Sequence, residues 1–540
     1  MSLTLTKTDK DFVYSKVTLM DFKPVSMERV LVSFLARLRN NGNTSTVIRR
    51  EGVELTIPGL VEEYLNNPEM FEGFQENKEV VLSWFETHLV DIVNRGKKNA
   101  ALASPRPLHG YVYRFRNAKY SKVYGIDRQV YELLSSAGRE GQLALSSLRA
   151  FFFPEEDPMT GAATHNASLV DVETETLQYL KDQVKRDTAT KDREMNFKPL
   201  CHVAPRLLAE DISRLLAYRN HVPRSVMVEY LVTLMGFHLG LYLLRMIHVV
   251  PRMVEAKGEL APCGHGDRCH CHQSMLVDVA GLPKTSMARL AQQSMQNHID
   301  QIPVFVRANF AARKLEDYAA QLRKTRGLTL EGLSDVLRLS HDQFMQDREG
   351  YFQNRLGRLL DDQPEDELPP EQHRLLQLAS TNMDKYLELI VFERSDYHRK
   401  FVHQAIDSFF FKNSASALIA QPSGIGAPRR FVLGGRILEV LLQIMLLKPG
   451  GQYGFHTAPL RFTELLDELR ERYGIFIDRL PEELGDASVS DHAALRENIE
   501  AMKVRLRELG FYRDLSDASA TQFVTPRYTV AKTGSSKGAA

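Results

Sequence analysis

Apolar residues recur three and four positions apart over most of the chain, the spacing that gathers them on one face of an α-helix. In the first 155 residues this holds for 27–38, 80–93 and 127–153. Between Tyr111 and Arg116 the pattern changes to the alternation Tyr-Val-Tyr-Arg-Phe-Arg, which predicts a half-buried strand. From 168 to 413 helical spacing dominates, over 207–217, 226–250, 285–322, 329–360 and 372–411. Pro223 and Pro251 bracket the second of these segments and mark its expected ends. A short β-like run, 275–279, interrupts the helices, and no fixed-period repeat indicates a solenoid.

The C-terminal hundred residues carry a more specific order. Ile437, Leu438, Leu441, Leu442, Met445 and Leu446 form the stripe of a first helix, and 456–461 reads as extended. Leu465, Leu466 and Leu469 mark a second helix that stops at Gly474. A third helix starts near Ser490 or Asp491, carries Leu495, Ile499, Met502, Leu506 and Leu509, and ends at Gly510. A turn and an alternating run, 521–528, follow. Three helices and a hairpin are the winged variant of helix-turn-helix, which lays its third helix in a groove of DNA or serves as a protein-docking surface.

Stretches rich in Pro, Gly and small polar residues at 154–167, 258–273, 361–371 and 414–430 read as linkers or surface loops. The expected fold is therefore mainly α and multidomain. It has an α+β N-terminal domain (1–155), a large helical middle domain with a Cys/His loop (168–413) and a C-terminal winged-helix-like module (430–530).

Size and composition agree with several globular domains: 540 residues, 43% hydrophobic and 25% charged. The net charge of +1 leaves any attraction for phosphate to local patches. Four cysteines and a polar opening without the apolar core of an export signal lead to a reducing, cytoplasmic location. The run 231–250 is long and apolar enough to span a bilayer, but His238, Arg245 and His248 within it favour a buried core helix and no membrane contact.

Charge clusters most strongly at Arg95, Lys97, Lys98, Arg106, Arg114, Arg116, Lys119 and Lys122, with no acid among them and tyrosines interleaved. Cationic groups beside aromatic faces suit nucleic acid, by phosphate contact and by stacking. Alternatively, the aromatic side faces a core and the basic side faces water. Arg496, Lys503 and Arg507 share one side of the third C-terminal helix, with Arg527 on the wing, and read as phosphate contacts or as a solvated face.

Cys263, His265, Cys269, Cys271 and His272 crowd into ten residues, and thiolate and imidazole are the preferred ligands of zinc. A structural zinc there, with Cys201 or His202 joining from elsewhere, competes with a glycine-rich loop whose cysteines bind nothing. Asp171, Glu173 and Glu175 could hold magnesium for phosphodiester hydrolysis, but acids at a helix start also answer the helix dipole. Phosphate-binding loops and the nucleophile elbow of serine hydrolases are absent, so no catalytic residue is expected.

The stretches 218–224 (Tyr-Arg-Asn-His-Val-Pro-Arg), 237–245 and 435–443 resemble core-system proteins of multi-gene bacterial anti-phage defence clusters, of the methylation-associated or restriction-like kind. The resemblance implies an accessory subunit working beside a methyltransferase, ATPase or nuclease, and transfers no active-site residue. Together these readings predict a non-catalytic subunit that holds DNA and scaffolds other defence proteins. A metal-dependent nuclease subunit and a pure protein-interaction subunit are the alternatives.

Overall fold

The computed structural model describes residues 3–45, 56–154, 171–180, 189–191, 197–260, 263, 271–360, 368–424, 426–451, 454–512 and 522–532. It is about 60% helical with 7% strand, so the chain is mainly α. Helix α1 (Met27–Arg39) is followed by an antiparallel hairpin of β1 (Val90–Val93) and β2 (Ala101–Pro105). The predicted helix over 80–93 thus ends early: an α-turn, Lys78–Trp84, and a wider turn, Phe85–Leu89, lead straight into β1.

The predicted strand at 111–116 is instead a 3-10 helix, Gly110–Phe115. Alternation fails there because Tyr111, Val112, Tyr113 and Phe115 are all buried, on every side of the turn. The approach is close: a Cβ on Gly110 would lie 2.4 Å from the Phe153 ring. Helices α2 (Ile126–Ser136) and α3 (Gly138–Phe152) follow, divided at Ala137, and α4 (Val172–Gln178) is short.

Helices α5 (Val203–Leu216) and α6 (Arg224–Glu255) form the centre. Helix α6 is apolar around nearly its whole circumference, which requires burial on all sides. It obtains this from α1, α5 and the long α7 (Ser286–Arg326), and from α8 (Asn382–Phe409). In all, 89% of its most apolar stretch is buried within the protein. Pro251 does not end it: the helix runs one further turn, where a proline disturbs few bonds. The predicted helix over 329–360 is broken, with Leu333–Leu337 and Met345–Leu360 separated by two 3-10 turns.

Strand β3 (Met275–Leu276) enters between α6 and α7. The fourth linker-like stretch, 414–430, is packed at its ends: β4 (Ile419–Ala420) and β5 (Arg430–Phe431) pair antiparallel with Ile419 and Phe431 buried, while 422–424 between them are exposed. Gly236 and Gly240 on α6 admit the end of α8 just before this stretch. Added Cβ atoms would lie 2.5 Å and 2.4 Å from the rings of Phe411 and Phe410.

The C-terminal part contains α9 (Gly435–Met445), β6 (Leu460–Arg461), α10 (Phe462–Tyr473), β7 (Ile475–Phe476), α11 (Val489–Glu508) and β8 (Phe523–Val524). Ser488 caps α11, two residues before the expected start, in a reciprocal capping box with Asp491. Strand β8 pairs antiparallel with β6, and Tyr512 bridges to Val524. The parallel pair β3–β7 stitches this part to the middle of the chain. Asn498 of α11 closes the seam, donating to the carbonyls of Val277 and Ile477 and accepting from the Val279 amide.

Residues 3–16 lie along α7 and α8, whereas Thr18 and the Leu19 amide bond Gln129 of α2 and the Asp21 amide bonds the Tyr124 carbonyl. The segment buries Phe12, Tyr14 and Phe22. Tyr14 donates to Glu316 at 2.8 Å, Lys16 to the Leu330 carbonyl at 2.8 Å, and Asn309 to the Phe12 carbonyl at 2.8 Å. Phe12 also stacks on His398 with ring centroids 4.0 Å apart. One connected cluster of buried apolar side chains runs from Leu3 to Val530.

Candidate nucleic-acid surfaces and a buried thiol cluster

The β1–β2 hairpin projects its tip, 94–100, into solvent, every residue of it exposed. Asn94 (φ 54°) and Gly96 (φ 77°) take left-handed backbone there, the geometry a tight reversal needs. Arg29 of α1 forms a two-pronged pair with Asp91 and holds the base of the hairpin. Arg95, Lys97 and Lys98 stand on the tip. Arg95 donates to the Glu86 carbonyl at 2.6 Å, whereas Lys97 and Lys98 enter no ion pair among the described residues. Lys119, 4.9 Å above the Tyr120 ring, and Lys122 are exposed on the turn after the 3-10 helix, which the Asn117 amide ties to Ala103 of β2.

The other three basic residues of this stretch turn inward. Arg116 is 8% exposed and donates to the carbonyls of Ser45 at 2.7 Å and Tyr113 at 3.0 Å. Arg114 lies 4.5 Å from the Tyr111 ring. Arg106 bonds Glu28 at 3.2 Å and Glu229 at 3.5 Å, and Glu229 also takes Arg436 at 2.7 Å. These four charges line a cleft of about 380 Å³. Burial pushes the Glu28 carboxyl above its ordinary range even though Arg106 pulls it back.

On α11 the cations are accompanied by acids. Arg496 and Arg507 are exposed, but so are Glu497, Glu500 and Glu508. Lys503 pairs with Glu500 at 2.7 Å and Arg527 with Glu439 at 2.7 Å. The first half of α11 packs on α7, with Ala494 and Leu495 against Met287, Leu290 and Ala291. Asp491, at its first turn, faces Arg289 at 3.4 Å.

Asp171 is fully engaged in capping. One oxygen accepts from the Thr174 amide at the start of α4 and the other from the Ser225 amide at the start of α6, at 2.9 and 2.7 Å. Burial raises its carboxyl, and these hydrogen bonds more than compensate, holding it below the usual range. Glu173 and Glu175 sit on the first turn of α4, where the helix dipole favours acids.

The cysteines behave differently. Cys201, just before α5, meets Cys263 and Cys271 from the two ends of the loop that precedes β3. All three are buried, at 1%, 6% and 2% exposure. Their sulfurs lie within 4.8 Å of one another, close enough to hold a metal ion, with Cys201 and Cys263 3.4 Å apart. His265 and Cys269, the other expected ligands in the loop, lie outside the described residues. His272 follows Cys271 and bonds the Arg470 carbonyl at 3.2 Å. Burial, reinforced by Arg245, pushes its imidazole down to about 4.

Arg245 itself is the residue that spacing did not single out. The other polar residues in the apolar run of α6 have partners: His238 bonds Asp211 at 3.0 Å and His248 bonds His298 at 2.8 Å. Arg245, 3% exposed, makes no ion pair with a carboxylate among the described residues. It acts instead on Tyr242 and His272, two groups that also feel Cys201.

No curated protein matches the chain. A family model described as methylation-associated defense system protein MAD7 matches residues 7–528, nearly the whole length. The chain belongs to the MAD7 family of methylation-associated defense system proteins.

Proposed function

We propose that this chain is a non-catalytic, cytoplasmic accessory subunit of its defence system that holds DNA by its phosphates and scaffolds partner proteins. The observation that carries the reading is the β1–β2 hairpin tip. Arg95, Lys97 and Lys98 project together, Lys119 and Lys122 flank the base, and no acidic residue occurs from 95 to 122. Uncompensated exposed cations on a protruding element release counterions from a nucleic-acid backbone and fix position without reading sequence.

The C-terminal part supports the scaffolding half. Its order of three helices, with strands after the first and a paired strand after the third, supports a winged-helix reading. Groove-reading winged helices present the N-terminal end of the third helix to bases, and here that end rests on α7. Its remaining face, with mixed charge and the exposed Val504, suits a protein partner better than a polyanion.

Binding of duplex and single-stranded DNA measured across a salt series tests the reading. Each phosphate contact contributes a slope of about −0.9 in log K against log salt for duplex DNA. Lys97→Glu/Lys98→Glu is expected to weaken binding by roughly tenfold or more and to lower the slope by about 2. Absence of DNA binding at low salt, or an unchanged slope in the double variant, sinks it.

A further inference from the structure

We propose that Cys201, Cys263 and Cys271 are the thiolate core of a structural zinc site that fastens the start of α5 to the root of the β3–β7 junction. Three observations converge on it. Sulfurs that share one zinc at about 2.3 Å stand about 3.8 Å apart in a tetrahedron, and the spacings here, 3.4 Å for one pair and within 4.8 Å for all, bracket that separation. All three sulfurs are withdrawn from solvent, as in structural rather than catalytic sites. Arg245, 3% exposed, lies one turn along α6 from Tyr242, whose hydroxyl accepts from the amide of Leu200 beside Cys201; it has no carboxylate partner among the described residues, and a buried guanidinium needs a counter-charge. Three thiolates around a divalent ion carry a net negative charge and supply it.

A disulfide accounts for less. Bonding requires sulfurs about 2.05 Å apart, whereas those of Cys201 and Cys263 stand 3.4 Å apart, and a pair would leave the third cysteine at the same point without a role. Coordination uses all three. Each thiol that binds gives up its proton, so loading of Zn²⁺ by three cysteines releases three protons and changes no oxidation state.

The placement indicates what the ion does. Cys201 and Cys263 are 62 residues apart, with α5 and α6 between them, so a shared ion closes a long loop of the unfolded chain. Cys271 lies four residues before β3, and the chain between them runs hard against the end of α10. Gly474 has φ 71° there, and a Cβ on it would fall 2.0 Å from the Gln273 carbonyl oxygen. Such tolerances leave little freedom to the strand that joins the C-terminal helices to the rest of the protein. The site is independent of DNA binding by the hairpin, and either proposal stands if the other fails.

The test is elemental analysis of the full chain purified under reducing conditions, combined with cobalt substitution. One zinc per chain is expected, and Cys201→Ser and Cys271→Ser each lose most of it. Because these variants could misfold, cobalt is also loaded into the unmodified protein, where thiolate-to-cobalt charge-transfer absorption reports sulfur ligation directly. Cys269→Ser and His265→Ala, compared in the same assay, identify the fourth ligand. The proposal is overturned by a metal-free protein that gives no thiolate–cobalt band on loading. It is equally overturned by a disulfide between any two of the three cysteines, or by full zinc retention in Cys201→Ser.

Discussion

Two surfaces with the same sequence signature, a cluster of basic residues on a regular element, come out differently in the folded protein. At the β1–β2 hairpin, Arg95, Lys97 and Lys98 extend into solvent and enter no ion pair among the described residues. On α11, Arg496, Lys503 and Arg507 share their face with Glu497, Glu500 and Glu508, and the helix is committed to the fold at its other faces. Each surface carries three cations. What separates the two is whether acids on the same element accompany them, as Glu500 does Lys503, and how far the element is packed on its neighbours. The basic stretch from 95 to 122 is itself divided in the same way, into an outward part and an inward part that serves the interior.

The largest effect that would probe this division is expected at Arg116. Arg116→Glu removes hydrogen bonds to two buried carbonyls and puts a carboxylate in their place, at a cost of about 3–5 kcal/mol. Urea unfolding should show it as loss of stability. Normal stability with a selective loss of DNA binding would move Arg116 to the outward class and break the comparison.

Asn498→Ala comes next. It leaves two carbonyls and an amide of the β3–β7 seam unpaired and should destabilise by roughly 2–4 kcal/mol. A helix serving chiefly to read DNA would instead lose affinity while its melting temperature stayed put. The smallest effect belongs to Arg496→Glu/Arg507→Glu on α11. Stability should change by less than about 0.5 kcal/mol, as for exposed positions in general, and DNA affinity should fall much less than in the hairpin variant. A loss equal to that of Lys97→Glu/Lys98→Glu would make α11 a second DNA surface.

Much of the helical architecture was legible in the sequence, because three-and-four spacing reports directly which face is buried. The end of α5, the extent of α9 and the stop at Gly474 fall close to where the spacing placed them, whereas α5 starts four residues before its expected 207. The failures share a cause. At 111–116 the alternation was real, but Phe153 and the Ser45 backbone surround the segment, so both of its faces are interior. The stretch 414–430 has the composition of a linker, yet Ala417, Leu418 and Ile419 are buried and β4 pairs with β5 at its end.

The thiol cluster was half visible. Cys263 and Cys271 stand out by density, whereas Cys201 is isolated in sequence and joins them only through the packing of α5 against α6. Arg245 gave a weaker signal, a cation in an apolar run, and only its missing carboxylate made it informative.

The seating of residues 3–16 along α7 and α8 has a consequence for how the chain is made. Tyr14 waits for Glu316, 302 residues later, and Asp9 for Tyr386, 377 residues later. At about 5–20 residues per second, the ribosome needs roughly 15–60 s to supply the first of these partners. During that interval Phe12, Tyr14 and Phe22 have no cavity to enter, and the emerging segment is a target for chaperones. Seating of this segment therefore waits for helices made several hundred residues after it.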